Sequence, residues 1–224
     1  MTRIVALVAA RNERERIGAT VAALRSLDGV ADVVVVDDGS RDETAARALA
    51  AGASVLRHES PRGKGRALES AVRRVPPADV WLLADGDLGD SAATLHAVLA
   101  PVLAGEADLA IGVFPAEREG GFGLVKRAAA QAIRLLGGPT VLEPLSGQRA
   151  LSATALEAIR PFARGFGLET AMTIDAARAG LRVREVPAAL AHRPTHRDLR
   201  GFAHRGRQAW DILRAVVPRA IGLR

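Results

Sequence analysis

The chain has 224 residues, 49% of them hydrophobic, a formal net charge of +6 and no cysteine. That is enough chain for one domain with a sizeable core, and it excludes disulfides and thiolate metal sites. No apolar run approaches the roughly 18–20 residues of a membrane span, and the N-terminus runs into an apolar strand and a charged cluster, unlike a signal peptide, so a cytoplasmic protein is expected.

Ile4–Ala9 reads as a first strand, and Arg16–Leu27 has helical periodicity. Val33–Val36 is a β-branched strand that stops on Asp37 and Asp38. Asp42–Ala51 reads as a helix stopped by Gly52, Ala53–Arg57 as a short strand, and Lys64–Arg74 as a helix closed by Pro76 and Pro77. Val80–Ala84 is the next strand, Ser91–Leu103 the next helix behind an Asp90 or Ser91 cap, and Ala107–Val113 a further strand. Continuous apolar strands alternating with helices specify an α/β fold with a mostly parallel central sheet and helices on both faces. Ligands bind such sheets beyond the carboxyl ends of the strands. There the chain places Ala9-Ala10-Arg11, Asp37-Asp38 and Asp85–Asp87.

The second half is less regular. Phe122–Leu136, Ser152–Ile159 and Glu169–Ala179 read as helices, Leu181–Val186 as a half-exposed strand, Val186–Ala191 as strand-like, and Gly201–Val217 as a final helix. No linker interrupts the chain, so residues 1–224 are expected to form a single domain. From His192 onward, eight arginines face only Asp198 and Asp211, an excess of six positive charges that equals the chain's whole net charge. Such a tail suits phosphate, nucleic acid or an anionic membrane surface, or it is a solvated terminal helix.

Asp85 and Asp87 are spaced to point the same way from a strand end. Like charges that close repel unless a cation sits between them, and hard oxygen ligands suit Mg2+ or Mn2+ shared with substrate phosphates. Arg62-Gly63-Lys64-Gly65 enters a helix and combines glycines, cations and a helix N-terminus into an anion site. Neither the P-loop spacing nor the dinucleotide G-x-G-x-x-G is present, which argues against dinucleotide redox chemistry.

In chain order, Ala9-Ala10-Arg11-Asn12-Glu13, the run Val36–Thr44, Gly63-Lys64-Gly65-Arg66-Ala67 and Asp85-Gly86-Asp87 resemble the family 2 nucleotide-sugar glycosyltransferases of GT-A (Rossmann-like) fold. The resemblance is nearest to dolichol-phosphate mannosyltransferases and glucosyl-3-phosphoglycerate synthases, and continues more loosely through Leu145–Ala150 and Gly165–Thr170. It implies a nucleotide-sugar-binding half (1–113) and an acceptor half (114–224) with a basic C-terminal helix. It implies that Ala10, Arg11, Glu13 and Asp38 line the nucleoside pocket, with Lys64 near base or diphosphate. Asp85 and Asp87 become a D-x-D element for ribose and metal-bound diphosphate, with Asp87 catalytic. Ser146 to Arg149 would lie under the donor sugar or acceptor phosphate. The donor would be a UDP- or GDP-sugar, the acceptor anionic (polyprenyl phosphate or a phosphorylated small acid), with no nucleic-acid partner.

Other residues keep two readings. His192 either completes a metal shell with Asp85 and Asp87 or is an exposed loop histidine; His196 and His204 contact phosphate or nothing. Glu169 either steadies a helix N-terminus or serves as general base or acceptor contact. Arg118, Lys126, Arg127 and Arg149 could gather round an anionic acceptor, with Glu117–Gly123 as a mobile closing loop. The last helix either packs its apolar stripe on the domain or lies on an anionic membrane at the inner face, and a homodimer stays open. Two other functions compete: a sugar-phosphate nucleotidyltransferase, whose Gly-rich basic loop after the first strand is not visible, and a non-catalytic nucleotide-sugar-binding protein.

Overall fold

Seven strands form one sheet in the order β3-β2-β1-β4-β6-β5-β7. The computed structural model describes residues 2–113, 123–189 and 199–222, with backbone alone over 199–209. The strands are β1 (Ile4–Ala10), β2 (Val30–Asp37), β3 (Ser54–Arg57), β4 (Val80–Asp85), β5 (Leu109–Val113), β6 (Arg149–Ser152) and β7 (Val183–Pro187). The helices are α1 (Ile17–Arg25), α2 (Thr44–Ala50), α3 (Lys64–Val72), α4 (His96–Leu103), α5 (Gly123–Leu135), α6 (Ala153–Ile159), α7 (Leu168–Arg178) and α8 (Leu199–Ala220). All strand pairs are parallel except those of β6, which runs against both β4 and β5.

Side-chain alternation in β1 shows why the central strands are apolar throughout. Ile4, Ala6, Val8 and Ala10 enter a core with Ile17, Val21 and Leu24 of α1 and Val98 and Leu99 of α4. Val5 and Leu7 enter the opposite core with Ala67 and Leu68 of α3, Leu156 of α6 and Met172 of α7. A strand buried on both faces has no polar side to display. Register then aligns the functional edge: Ala9 lies opposite Asp85, Ala10 opposite Asp37, and Asp37 opposite Arg57.

Three expectations need correction. The helix read over Ser91–Leu103 begins as a 3₁₀ segment, Gly89–Leu95, with Leu88 at its N-cap; the Ser91 hydroxyl donates to the Leu88 carbonyl at 2.7 Å. Strand β7 ends at Pro187, short of the strand-like stretch to Ala191. Strand β6 was read as a loose motif, because four residues containing an arginine give no apolar run. The Glu117–Gly123 loop (bar Gly123), Arg118, His192 and His196 lie outside the described residues, as does the side chain of His204.

Helix α8 is fastened to α7 by an ion pair removed from water. Arg219 Nε donates to Asp175 Oδ1 at 2.6 Å, a second nitrogen of Arg219 meets Asp175 Oδ2, and the two side chains are 3% and 8% exposed. Removing one partner leaves a charge buried alone, so Arg219→Met should destabilise the protein by about 3–5 kcal/mol. Urea unfolding should show the double variant Asp175→Leu/Arg219→Met recovering most of that loss; equal losses in both would contradict this account.

Candidate active site

The acids at the strand ends have different employments. Asp37 is fully buried, and its Oδ1 accepts from the Ser40 N–H at 2.9 Å to close the turn into α2. Its Oδ2 lies 3.3 Å from Arg57 Nε but out of line, so it takes no hydrogen bond. Asp38 Oδ1 lies 2.8 Å from His58 Nδ1 and accepts from the Arg62 N–H at 2.8 Å, while Oδ2 accepts from the Gly63 N–H at 2.8 Å. His58 Nε2 sits 3.1 Å from Ser70 Oγ on α3. The carboxylate expected to line the nucleoside pocket is thus committed to the protein and clamps the turn that launches Lys64. Gly63 sits there at φ 87°, a conformation that favours glycine. Burial pushes the Asp38 carboxyl up, but the His58, Arg62 and Gly63 hydrogen bonds outweigh it and hold it below the usual carboxylate value.

Lys64 is the hub of the site. Its Nζ lies 2.6 Å from Asp85 Oδ1 and 3.0 Å from Glu169 Oε1. Gln148 Nε2, just before β6, donates to Asp85 Oδ2 at 2.7 Å. Burial alone would lower the ammonium's pKa, but Asp85 and Glu169 together raise it. Gly147 makes room: a Cβ there would stand 2.2 Å from Lys64 Nζ and 2.8 Å from Asp85 Oδ2.

Asp87 is different. Strand β4 ends at Asp85, so Asp87 lies in the turn beyond it, and strict strand alternation no longer governs where it points. Its carbonyl accepts from Arg16 Nη1 at 3.1 Å. Among the described residues its carboxylate takes neither hydrogen bond nor ion pair. No three His, Cys, Asp or Glu side chains among the described residues converge into a cation site. A hard divalent ion needs only one or two carboxylates when phosphates complete its shell, and the open oxygens of Asp87, beside Asp85, fit that donor set.

The remaining predicted residues divide. Ala10 is buried against the turn, where a Cβ on Gly86 would stand 2.8 Å from the Ala10 Cβ. Arg11 is exposed, and the Glu13 N–H donates to Thr44 Oγ1 at 2.8 Å. Glu13 also lines a cavity of about 160 Å³ with Asn12, Arg14, Arg16 and Asp42. Ser146 and Arg149 are both buried. The Ser146 hydroxyl donates to Gln148 Oε1 at 3.3 Å. Arg149 donates to Ser146 O at 2.8 Å, Thr173 Oγ1 at 2.9 Å and Pro144 O at 3.4 Å. Burial pulls its pKa down to about 10, against the opposing pull of Glu169 and Glu185. It braces the Pro144–Ser146 loop on α7. Lys126 is paired with Glu143 at 2.7 Å, and Arg127 is exposed. Gly147 and Gln148 fall within the Ser146–Arg149 run expected at the site, without roles of their own; the residues given no role were His58 and Asn12, whose N–H donates to Ser40 Oγ and whose Oδ1 accepts from the Arg41 N–H.

A mostly parallel sheet covered on both faces, with one reversed strand and an acid–lysine cluster at its carboxyl edge, defines the GT-A class of sugar-transferring folds. The chain belongs to glycosyl transferase family 2, which it matches over residues 5–154. It is 31% identical over 195 residues to glycosyltransferase AglJ of Haloferax volcanii, covering 84% of this chain and 62% of that protein. It is 32% identical over 187 residues to glucosyl-3-phosphoglycerate synthase of Mycolicibacterium smegmatis, covering 74% of this chain and 61% of that protein. The chain thus spans about three fifths of the length of these two relatives. The Mycobacterium tuberculosis glucosyl-3-phosphoglycerate synthase, solved with Mn2+, UDP-glucose and phosphoglyceric acid, superposes with a TM-score of 0.81 at 28% identity, over 97% of this chain and 79% of that one. The same enzyme has been solved with Mg2+ and UDP, at a TM-score of 0.82.

The Asp38 clamp has a pH signature. Its native pKa lies below the unfolded value, so its stabilisation is present above about pH 4 and lost as pH falls towards the native pKa. Urea unfolding across about pH 5 to pH 2 should give Asp38→Asn a shallower acid limb than the unaltered protein. Superimposable limbs would show that the clamp is not linked to folding.

Proposed function

We propose that the chain transfers a hexose from a UDP-sugar to a small phosphorylated acid of the phosphoglycerate kind, using Mg2+ or Mn2+. The observation that carries this reading is the division between two neighbouring acids: Asp85 is gripped by Lys64 and Gln148, while the Asp87 carboxylate is open. Asp85-Gly86-Asp87 is read accordingly as a D-x-D element. The M. tuberculosis synthase structures with UDP-glucose, Mn2+ and phosphoglyceric acid, and with glycerol 3-phosphate, support the donor and acceptor class.

In this reading the bond from the sugar's C1 to the diphosphate oxygen breaks, a bond from C1 to the acceptor's hydroxyl oxygen forms, and the hydroxyl proton passes to the departing diphosphate. Asp87 holds the divalent ion, with His192 as a candidate additional ligand. The ion, when bound, neutralises the departing diphosphate as a Lewis acid. Lys64 offers its ammonium to the same anionic group. Glu169, with its Oε1 against Lys64 at 3.0 Å, suits a role in orienting the sugar and stabilising positive charge at C1. Arg149 keeps the loop that carries Gln148 in place.

One observation favours a second acceptor. Helix α8 buries Ile212, Ala215 and Arg219 yet exposes Trp210, Leu213, Val217 and Ile221 along the other side, beside exposed Arg214. An apolar stripe edged with arginine suits the surface of an anionic membrane, where a polyprenyl phosphate would be found; the same stripe would serve a homodimer. Among the described residues no helix is long and apolar enough to cross a membrane.

Incubation with UDP-glucose and Mn2+ should release UDP and yield a glycosylated product by mass spectrometry with 3-phosphoglycerate as acceptor; product only with polyprenyl phosphate in anionic vesicles would select the second reading. Asp87→Ala should lower kcat/KM on the order of 10²–10³-fold with unchanged circular dichroism. Full activity in that variant would sink the assignment.

A further inference from the structure

Lys64 engages one of the two acids that the sequence offers to a metal ion: the ammonium lies 2.6 Å from Asp85 Oδ1, and 3.0 Å from Glu169 Oε1 on α7. The slot is fitted. Gln148 holds the other Asp85 oxygen at 2.7 Å, Gly147 leaves no space for even a methyl group beside Nζ, and the Asp38 clamp fixes the backbone just before Lys64. Among the described residues this leaves one unengaged carboxylate at the strand end, Asp87.

We propose that Lys64 couples the binding of the divalent ion to that of the diphosphate, keeping the ion's affinity low until a diphosphate is present. The inference rests on the donor chemistry proposed above. With Asp85 taken by the ammonium, a single open carboxylate is a poor site for a dication, which needs several oxygen ligands. A diphosphate changes both terms. Its oxygens join the ion's shell, and the flexible lysine stem lets the ammonium turn to the new anion and release Asp85. Coupling of this kind is reciprocal: the ion must tighten the diphosphate by the same factor.

The test is Mn2+ titration followed by electron paramagnetic resonance of the free ion, with and without UDP, alongside calorimetric UDP binding. The unaltered protein should bind Mn2+ at least about tenfold more tightly with UDP than without. Lys64→Met should bind Mn2+ alone about tenfold more tightly than the unaltered protein, and UDP should then add little. Lys126→Met, the same charge change at the Glu143 pair, should follow the unaltered protein. Unchanged Mn2+ affinity in Lys64→Met, or an equal rise in Lys126→Met, overturns the inference. So does independence of Mn2+ and UDP in the unaltered protein, a measurement that needs no variant to fold. UDP binding with no Lys64 effect defeats this inference alone, whereas no UDP binding at all defeats the donor assignment with it.

Discussion

Everything at the carboxyl edge of the sheet is arranged about one ammonium, Lys64 Nζ, held between Asp85 of β4 and Glu169 of α7. Those carboxylates come from opposite halves of the chain. The geometry of the contact is inherited from close backbone approaches. A Cβ on Gly65 would stand 2.1 Å from the Ala163 carbonyl oxygen, so only glycine lets α3 start so near the segment that leads to Glu169. A Cβ on Gly167 would stand 2.4 Å from the Ala215 Cβ, which lets α8 press on the turn before Glu169. The Arg219–Asp175 pair then pins α8 itself. Support for one small electrostatic contact therefore extends to the last turn of the final helix.

The first half of the fold was legible because its strands are buried on both faces and so appear as apolar runs. The second half was less so for a related reason. Strand β6 has four residues and carries a fully buried arginine, and its place depends on antiparallel pairing with β4 and β5, which no local pattern encodes. Missing that strand also blurred the site. With strand alternation in view, Gln148 and Arg149 face opposite ways. Gln148 reaches Asp85, while Arg149 turns inward to Thr173.

The two acids of the Asp85-Gly86-Asp87 turn were expected to share a cation. What the sequence could not show was that a lysine 21 positions earlier would engage Asp85 and leave Asp87 aside. Nor could it separate the two ends of the acid run at β2. Asp37 and Asp38 are consumed in shaping loops, one through Ser40 and the other through Arg62 and Gly63. Acids at a strand end carry no mark that tells anchor from ligand. Here the mark lies in the count of protein donors each receives: three for Asp38 and none for the Asp87 carboxylate.

The reversed direction of β6 has an evolutionary corollary. In a wholly parallel sheet, residues at the business edge arrive only at strand ends, and any insertion after them must be bridged by a helix. Because β6 runs backwards, its beginning lies at that edge, and the Leu83–Arg149 pairing sets its position whatever precedes it. The part of the β5–β6 connection that precedes Pro144 can thus lengthen, shrink or be exchanged while Gln148 keeps its hold on Asp85. An ancestral scaffold of this shape could vary that connection while leaving the contacts around Asp85 untouched.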